Sequence, residues 1–317
     1  MANDAAAGGT APESEAEGQK KPQEAPPVAL ITGATEGIGY ALAREFARAG
    51  HTIVMVARSE SNLRKRADQL CADFSITVHA QAADLATNAG CQRVGNAVRR
   101  AGIKIDYLVN NAGIASGALF HEADRADLLR QVDVNMRAVT DLTWQFLPGM
   151  IERNRGGVMN VSSLGGFIPG PNMAVYYATK AYVMSLTEAL ACEIDAKNVK
   201  IAVLAPGPVA TEFHERSGMQ HRFYMYLMGA MNTETVARIA YTNFMCGQQI
   251  IVPGLMTMIS AATLRVAPHF LTVPFTGWLL KAREDPGRPG TWGILVNWMS
   301  KLTGRKDAAK AKAGDEG

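Results

Sequence analysis

A chain of 317 residues, 48% of them apolar, has material for a large core, either as one α/β domain or as two small ones. Its net charge of +3, from 32 basic and 29 acidic residues, calls for no nucleic-acid partner through bulk electrostatics. Cys71, Cys91, Cys192 and Cys246 form no Cys-x-x-Cys pair and the histidines are dispersed, which argues against a disulfide framework or a metal centre and for a reducing, cytoplasmic setting.

Residues 1–27 contain almost no large apolar side chain and no apolar run of the kind a signal peptide needs, so a disordered tail is expected there. From Val28 onward, short β-rich runs alternate with helical patterns. The runs are "VALITG" (28–33), "TIVMVAR" (52–58), "ITVHAQAADL" (76–85), "DYLVNNAG" (106–113), "GVMNVSS" (157–163), "KIAVLAPG" (200–207) and "QQIIVPG" (248–254). Between the first two, Ile38, Leu42 and Phe46 recur every fourth residue and Gly50 closes the pattern. Leu63, Ala67 and Leu70 repeat the device after the second run. Strand–helix–strand units of this length predict a single doubly wound α/β domain, with a seven-stranded parallel sheet flanked by helices over about 28–255. Near-continuous apolar strands agree, because such strands are buried on both faces.

Residues 254–280 are apolar enough to raise a membrane span, but Arg265, Pro268, His269 and Pro274 interrupt them. Two short amphipathic helices broken at Pro268 are expected, packed on the core or on a partner. Peripheral membrane contact is the less favoured alternative. They begin a helical C-terminal extension over 256–300, followed by a basic, disordered tail at 301–317.

The first strand runs into "TGATEGIG", where Gly33, Gly37 and Gly39 allow a tight turn and close approach of backbone to a phosphate. A glycine pattern is weak alone, but here it follows a buried strand and opens an amphipathic helix. Together with "NNAG" (110–113), "NVSS" (160–163), "YYATK" (176–180) and "PGPVAT" (206–211), it resembles, in order and spacing, the classical short-chain dehydrogenases/reductases. The resemblance covers about residues 28–255.

That family's Tyr-x-x-x-Lys motif implies Tyr176 and Lys180 as catalytic residues, with Tyr177 beside the site. Its serine, thirteen positions before the tyrosine, falls on Ser163, and its asparagine, which holds a water in a proton relay, falls on Asn135. A nearby ammonium should pull the tyrosine pKa down from its usual value, so Lys180 is expected to acidify Tyr176. The resemblance further implies a dinucleotide held by Gly33, Thr35, Glu36, Gly37, Ile38 and Gly39. Asp84 with Leu85 would lie near the adenine, Asn110, Ala112 and Gly113 under the ribose, and Pro206, Gly207, Val209 and Thr211 at the nicotinamide. Ala57 stands where an acid would bind the ribose of NAD, and Arg58 follows, so NADP(H) is favoured over NAD(H). Residues 212–232, rich in Met and aromatics, are the expected lid over an apolar carbonyl or alcohol substrate. A homo-oligomer pairing through helices near 124–152 and 175–196 is the expected assembly. The competing reading is a silent cofactor-sensing or scaffolding protein of the same fold.

Overall fold

The computed structural model describes residues 25–209 and 230–280. Seven strands, β1 (Val28–Thr32), β2 (Thr52–Ala57), β3 (Val78–Ala82), β4 (Tyr107–Asn110), β5 (Gly156–Val161), β6 (Val199–Leu204) and β7 (Ile250–Ile251), form one parallel sheet in the order β3-β2-β1-β4-β5-β6-β7. Strand order reverses between β1 and β4, so a crevice opens there at the carboxyl ends of the strands, where ligands bind in sheets of this kind. Ile31 pairs with Val109 across that junction. The sheet, its all-parallel register and its helical layers agree with the sequence expectation.

The helices are α1 (Gly37–Arg48), α2 (Glu60–Phe74), α3 (Asn88–Arg100), α4 (Arg125–Val132), α5 (Ala138–Glu152), α6 (Ala174–Glu193), α7 (Thr233–Met245), α8 (Leu255–Val266) and α9 (His269–Leu280). The helix of α1 buries Leu42 and Phe46 against the sheet, and Gly50, at φ +81°, ends its run as expected. Ser59 caps α2 by accepting the Asn62 N–H, and Leu63, Ala67 and Leu70 are its buried face. One face of the sheet packs on Phe46 and Phe244, the other on Leu142 and Met150.

Both edge strands are shorter than the sequence suggests. β3 exposes His79 and Ala80 because it pairs only with β2, so its pattern lacks the two-sided burial of the centre. β7 pairs over only two residues; after Val252 come Pro253, lacking an N–H, and Gly254, at φ +91°. The two helices expected around Pro268 are α8 and α9.

Candidate active site

The crevice begins at a turn with no room for side chains. Gly33 (φ +63°) and Gly37 (φ +54°) adopt left-handed backbone, and a Cβ on Gly39 would lie 2.2 Å from the Gly33 carbonyl oxygen. The turn is pinned to β4: the Thr32 hydroxyl accepts from the N–H groups of Asn111 (3.0 Å) and Ala112 (2.9 Å), and Asn111 Nδ2 donates to the carbonyls of Thr32 and Gly33. Outside, Arg66 donates from Nε to the Thr35 carbonyl and stacks 4.6 Å from the Tyr40 ring. Ile38 lines the cleft with the glycines, as does Glu36 at the N-cap of α1, so the positive end of that helix faces the opening.

Across the cleft, β5 delivers two serines with different tasks. Ser162 Oγ is buried and donates to the Lys180 carbonyl (2.8 Å). Ser163 caps the short turn Leu164–Phe167 by accepting the Gly165 N–H (3.1 Å), and it lines the cleft beside Tyr176, whose pKa it lowers. Of the two serines, Ser163 is the one that bears on the Tyr176 phenol. Tyr176 and Lys180 lie on one buried side of α6. Tyr177 packs edge-on against Tyr176 (centroids 5.9 Å apart) and covers Gly165 and Gly170, beside the site as expected.

The expected electrostatics of this pair need correction. Burial pushes the Tyr176 phenol up to about 12, opposed only by the Ser163 hydrogen bond. Burial also pushes the Lys180 ammonium down to about 8. Lys180 Nζ donates to the Val161 carbonyl at 2.8 Å and sits 5.8 Å from the Tyr176 ring centre. Loss of solvent thus outweighs any attraction between the two and shifts each group toward its neutral form.

Asn135 occupies a π-helical turn, Asp133–Arg137, inserted between α4 and α5. Its side chain makes three hydrogen bonds: Oδ1 accepts the Ile114 N–H, and Nδ2 donates to the Ile114 carbonyl and to Thr179 Oγ1 (3.0 Å). Thr179 in turn donates to the Tyr176 carbonyl, which ties Asn135 to the tyrosine's helix. A Cβ on Gly113 would sit 3.4 Å from both Asn135 Oδ1 and Lys180 Nζ, so that glycine brings the two side chains to one spot.

The remaining candidates divide. Ala112, Gly113, Pro206, Gly207 and Val209 line the cleft. Arg58 is exposed just past β2. The Asp84 carboxylate accepts from the Ala86 N–H and from Arg130, 3.0 Å from each oxygen. Burial raises its pKa, but the Ala86 hydrogen bond and Arg130, aided by the field of Arg58, outweigh burial and hold it low. Leu85 is turned into the core with Val94 and Leu142. Asn110 is the clearest departure: its side chain is buried under the sheet, donating to Thr143 Oγ1 and Asn160 Oδ1, and Asn160 passes the chain on to Thr187. It braces β4 to β5 and their helices rather than facing the cleft. Thr211 and most of the expected lid fall in 210–229, outside the described residues. Sequence reasoning missed Thr32, Asn111, Thr179 and Arg130, each of which has a partner more than forty positions away.

The cleft holds about 1030 Å³ and runs from the glycine turn past Tyr176 to a wall built by α8 and α9. Ile259, Leu264, Phe275, Leu279 and Leu280 form most of that wall, with Ser260, Thr263 and Thr276 between them, and Ile168 lines the same cleft. Arg265 fastens it through Glu188 (2.8 Å) and the Phe167 ring, and Asn172 donates to the Gly277 carbonyl.

A family model described as "short chain dehydrogenase" matches residues 27–221. Sulfoacetaldehyde reductase 2 of Chromohalobacter salexigens is 35% identical over 59% of this chain and 74% of its own length. The human very-long-chain 3-oxoacyl-CoA reductase is 31% identical over 58% of this chain, which spans only 60% of that relative. Among solved structures, a short-chain dehydrogenase from Sphingobium yanoikuyae in complex with NADPH superposes with a TM-score of 0.67 at 27% identity, over 90% of this chain and 98% of that one. A family structure from Burkholderia phymatum in complex with NAD superposes with a TM-score of 0.66 at 26% identity, over 76% of this chain and 92% of that one.

Proposed function

The chain belongs to the short-chain dehydrogenase family, and from that premise we propose that it is an NADP(H)-dependent oxidoreductase interconverting an apolar ketone and its secondary alcohol, with Tyr176 moving the proton. The observation that carries this reading is that Ser163, Tyr176 and Lys180 line one cleft, which continues to the glycine turn of β1.

The turn fits a dinucleotide, since a Cβ on Gly39 would collide with the Gly33 carbonyl and bare backbone meets the positive end of α1. Gly33, Thr35, Glu36, Gly37, Ile38 and Gly39 would hold the pyrophosphate, and Ala112, Gly113 and Lys180 the riboses. Pro206, Gly207 and Val209 would seat the nicotinamide end. Ala57 offers no acceptor to a free ribose, and the exposed Arg58 beside it suits a 2′-phosphate. When bound, the cofactor gives or takes a hydride at the substrate carbon.

The rest is done by the chain. Tyr176, held protonated by burial, donates to the carbonyl oxygen as reduction proceeds. Ser163 Oγ accepts the Gly165 N–H and directs its own hydrogen toward the Tyr176 phenol; with substrate bound, that hydrogen would turn to the carbonyl oxygen and stabilise the negative charge developing there. Lys180, at about 8, is poised to exchange a proton near neutrality. Because both Asn135 Nδ2 hydrogens and one lone pair of its Oδ1 are already engaged, a relay water would rest on the backbone carbonyls of the π turn, a device common at functional sites.

Relatives' names range from a small sulfonated aldehyde to a very-long acyl thioester, so the choice of an apolar substrate rests on the α8–α9 wall. Self-association through α4–α6 is supported by Trp144, 76% exposed on α5. All four cysteines are unpaired, which supports a cytoplasmic setting.

The test follows nicotinamide oxidation with NADPH and NADH against bulky ketones and 3-oxoacyl thioesters. We expect turnover with NADPH, and a preference moved toward NADH in Arg58→Asp. Tight NADPH binding without turnover of any substrate would instead favour the sensing reading.

A further inference from the structure

Large apolar side chains on the surface are not spread evenly. Of the fourteen exposed ones among the described residues, eight fall between Leu255 and Phe275, on α8 and α9. Met256, Val266, Phe270 and Leu271 are 59–83% exposed. Isolated exposed leucines need no explanation, but a contiguous apolar surface does. Between Leu255 and Leu280 the sequence has one charged residue, Arg265, and it is drawn back onto Glu188 and Phe167 of the body. The outward face therefore carries no unpaired lysine, arginine or carboxylate.

Two residues belong to both surfaces. Ile259 and Phe275 are more than half exposed, yet they line the cleft that holds Tyr176. The cleft thus meets the apolar face at its rim. A second copy of the chain seated on this face would stand across that rim. Charge argues in the same direction. The stretch from Lys301 to Lys312 has five basic residues, Lys301, Arg305, Lys306, Lys310 and Lys312, against the single acid Asp307. An uncharged apolar face followed in the chain by a basic segment matches an anionic lipid surface, where apolar insertion and headgroup attraction add. No helix among the described residues is long and apolar enough to cross a bilayer, so the geometry is that of a surface lying on the lipid.

We propose that α8 and α9 form an interfacial surface that seats the protein on anionic phospholipid membrane. Resting on the reductase reading, a corollary follows: an apolar ketone dissolved in the acyl region can pass over Ile259 and Phe275 to Tyr176 without crossing water.

The test is flotation of the full chain with vesicles of phosphatidylcholine alone and of phosphatidylcholine with phosphatidylglycerol. Wild type is compared with Phe270→Glu/Leu271→Glu, with Val266→Glu as a second disruption, and with Trp144→Glu as an exposed apolar site on another face. NADPH binding reports that each variant is folded. We expect wild type and Trp144→Glu to float with the anionic vesicles. Either disruption should weaken binding at least about tenfold, since it replaces buried apolar area with charge. Added salt should weaken the wild-type binding. No flotation of wild type on anionic vesicles, or equal flotation of folded disrupted variants, overturns the proposal. A wild-type dimer that becomes monomeric in those variants, with no vesicle binding by either, assigns the face to a second copy instead. Flotation reads no turnover, so docking can stand if no ketone is reduced, and the reductase reading can stand if nothing floats.

Discussion

The floor of the cleft and its α8–α9 wall are built on opposite terms. On the floor, nearly every polar group has a fixed partner: Lys180 on the Val161 carbonyl, Asn135 on Ile114 and Thr179, Ser162 on the Lys180 carbonyl. The wall is mainly apolar, with Ser260, Thr263 and Thr276 among its lining, and it is fastened by Arg265 and Asn172. Under the proposed function, the difference follows the work asked of each region. Proton transfer needs atoms held to within a fraction of an ångström, and buried hydrogen-bond networks supply that rigidity. Holding an apolar substrate needs only surface removed from water, which tolerates substitution and movement.

The comparison is broken most directly at the tyrosines. Tyr176→Phe should lower kcat by about 100- to 10,000-fold with NADPH binding retained, whereas Tyr177→Phe should stay within a few-fold. Equal losses in steady-state assays would mean that the floor does not distinguish them. Next, Asn110→Ala strips partners from Thr143 and Asn160 in the interior and should cost about 1–3 kcal/mol in urea unfolding. Cofactor affinity should be unchanged; a weakened affinity without lost stability would return Asn110 to the cleft.

At the wall, Leu279→Ala should raise KM for a bulky ketone roughly tenfold with kcat nearly intact, the mark of lost uniform binding. A fall in kcat alone would show that the wall shares the rigidity of the floor. The smallest effect is in pH. Lys180 titrates at about 8 when folded against 10.5 ordinarily, so between those values the unfolded chain binds the proton that the folded one has released. Stability contributed at this site then rises with pH across that window. Lys180→Met should remove that rise, read as the difference in urea midpoint between the two proteins. A difference independent of pH would mean that the ammonium is not desolvated. Tyr176 acts in the opposite sense only above pH 10, where the folded chain retains the proton longer.

Much of the floor was legible before any coordinates. The helical spacing of Tyr176 and Lys180 puts them on one side of α6, and the serine's distance from the tyrosine selected Ser163. Local repeats also located all seven strands, although β3 and β7 ended early for want of a second neighbour. Asn110 misled because its motif is read along the chain, while its side chain answers to Thr143 and Asn160 in other elements. The expected acidification of Tyr176 failed for a related reason: it counted a charge at short helical spacing and left out the solvent that packing removes.

The sequence by itself determined the alternation of strands and helices and the glycine turn, and it named the Ser-Tyr-Lys set to expect, because each depends on spacings of a few residues or on a family pattern. Only the tertiary structure decided that Arg130 holds Asp84, that burial rather than charge governs Tyr176 and Lys180, and that α8 and α9 wall the cleft while leaving an apolar face outside. Those outcomes depend on which distant surfaces meet and how much water they exclude, and no local spacing encodes either.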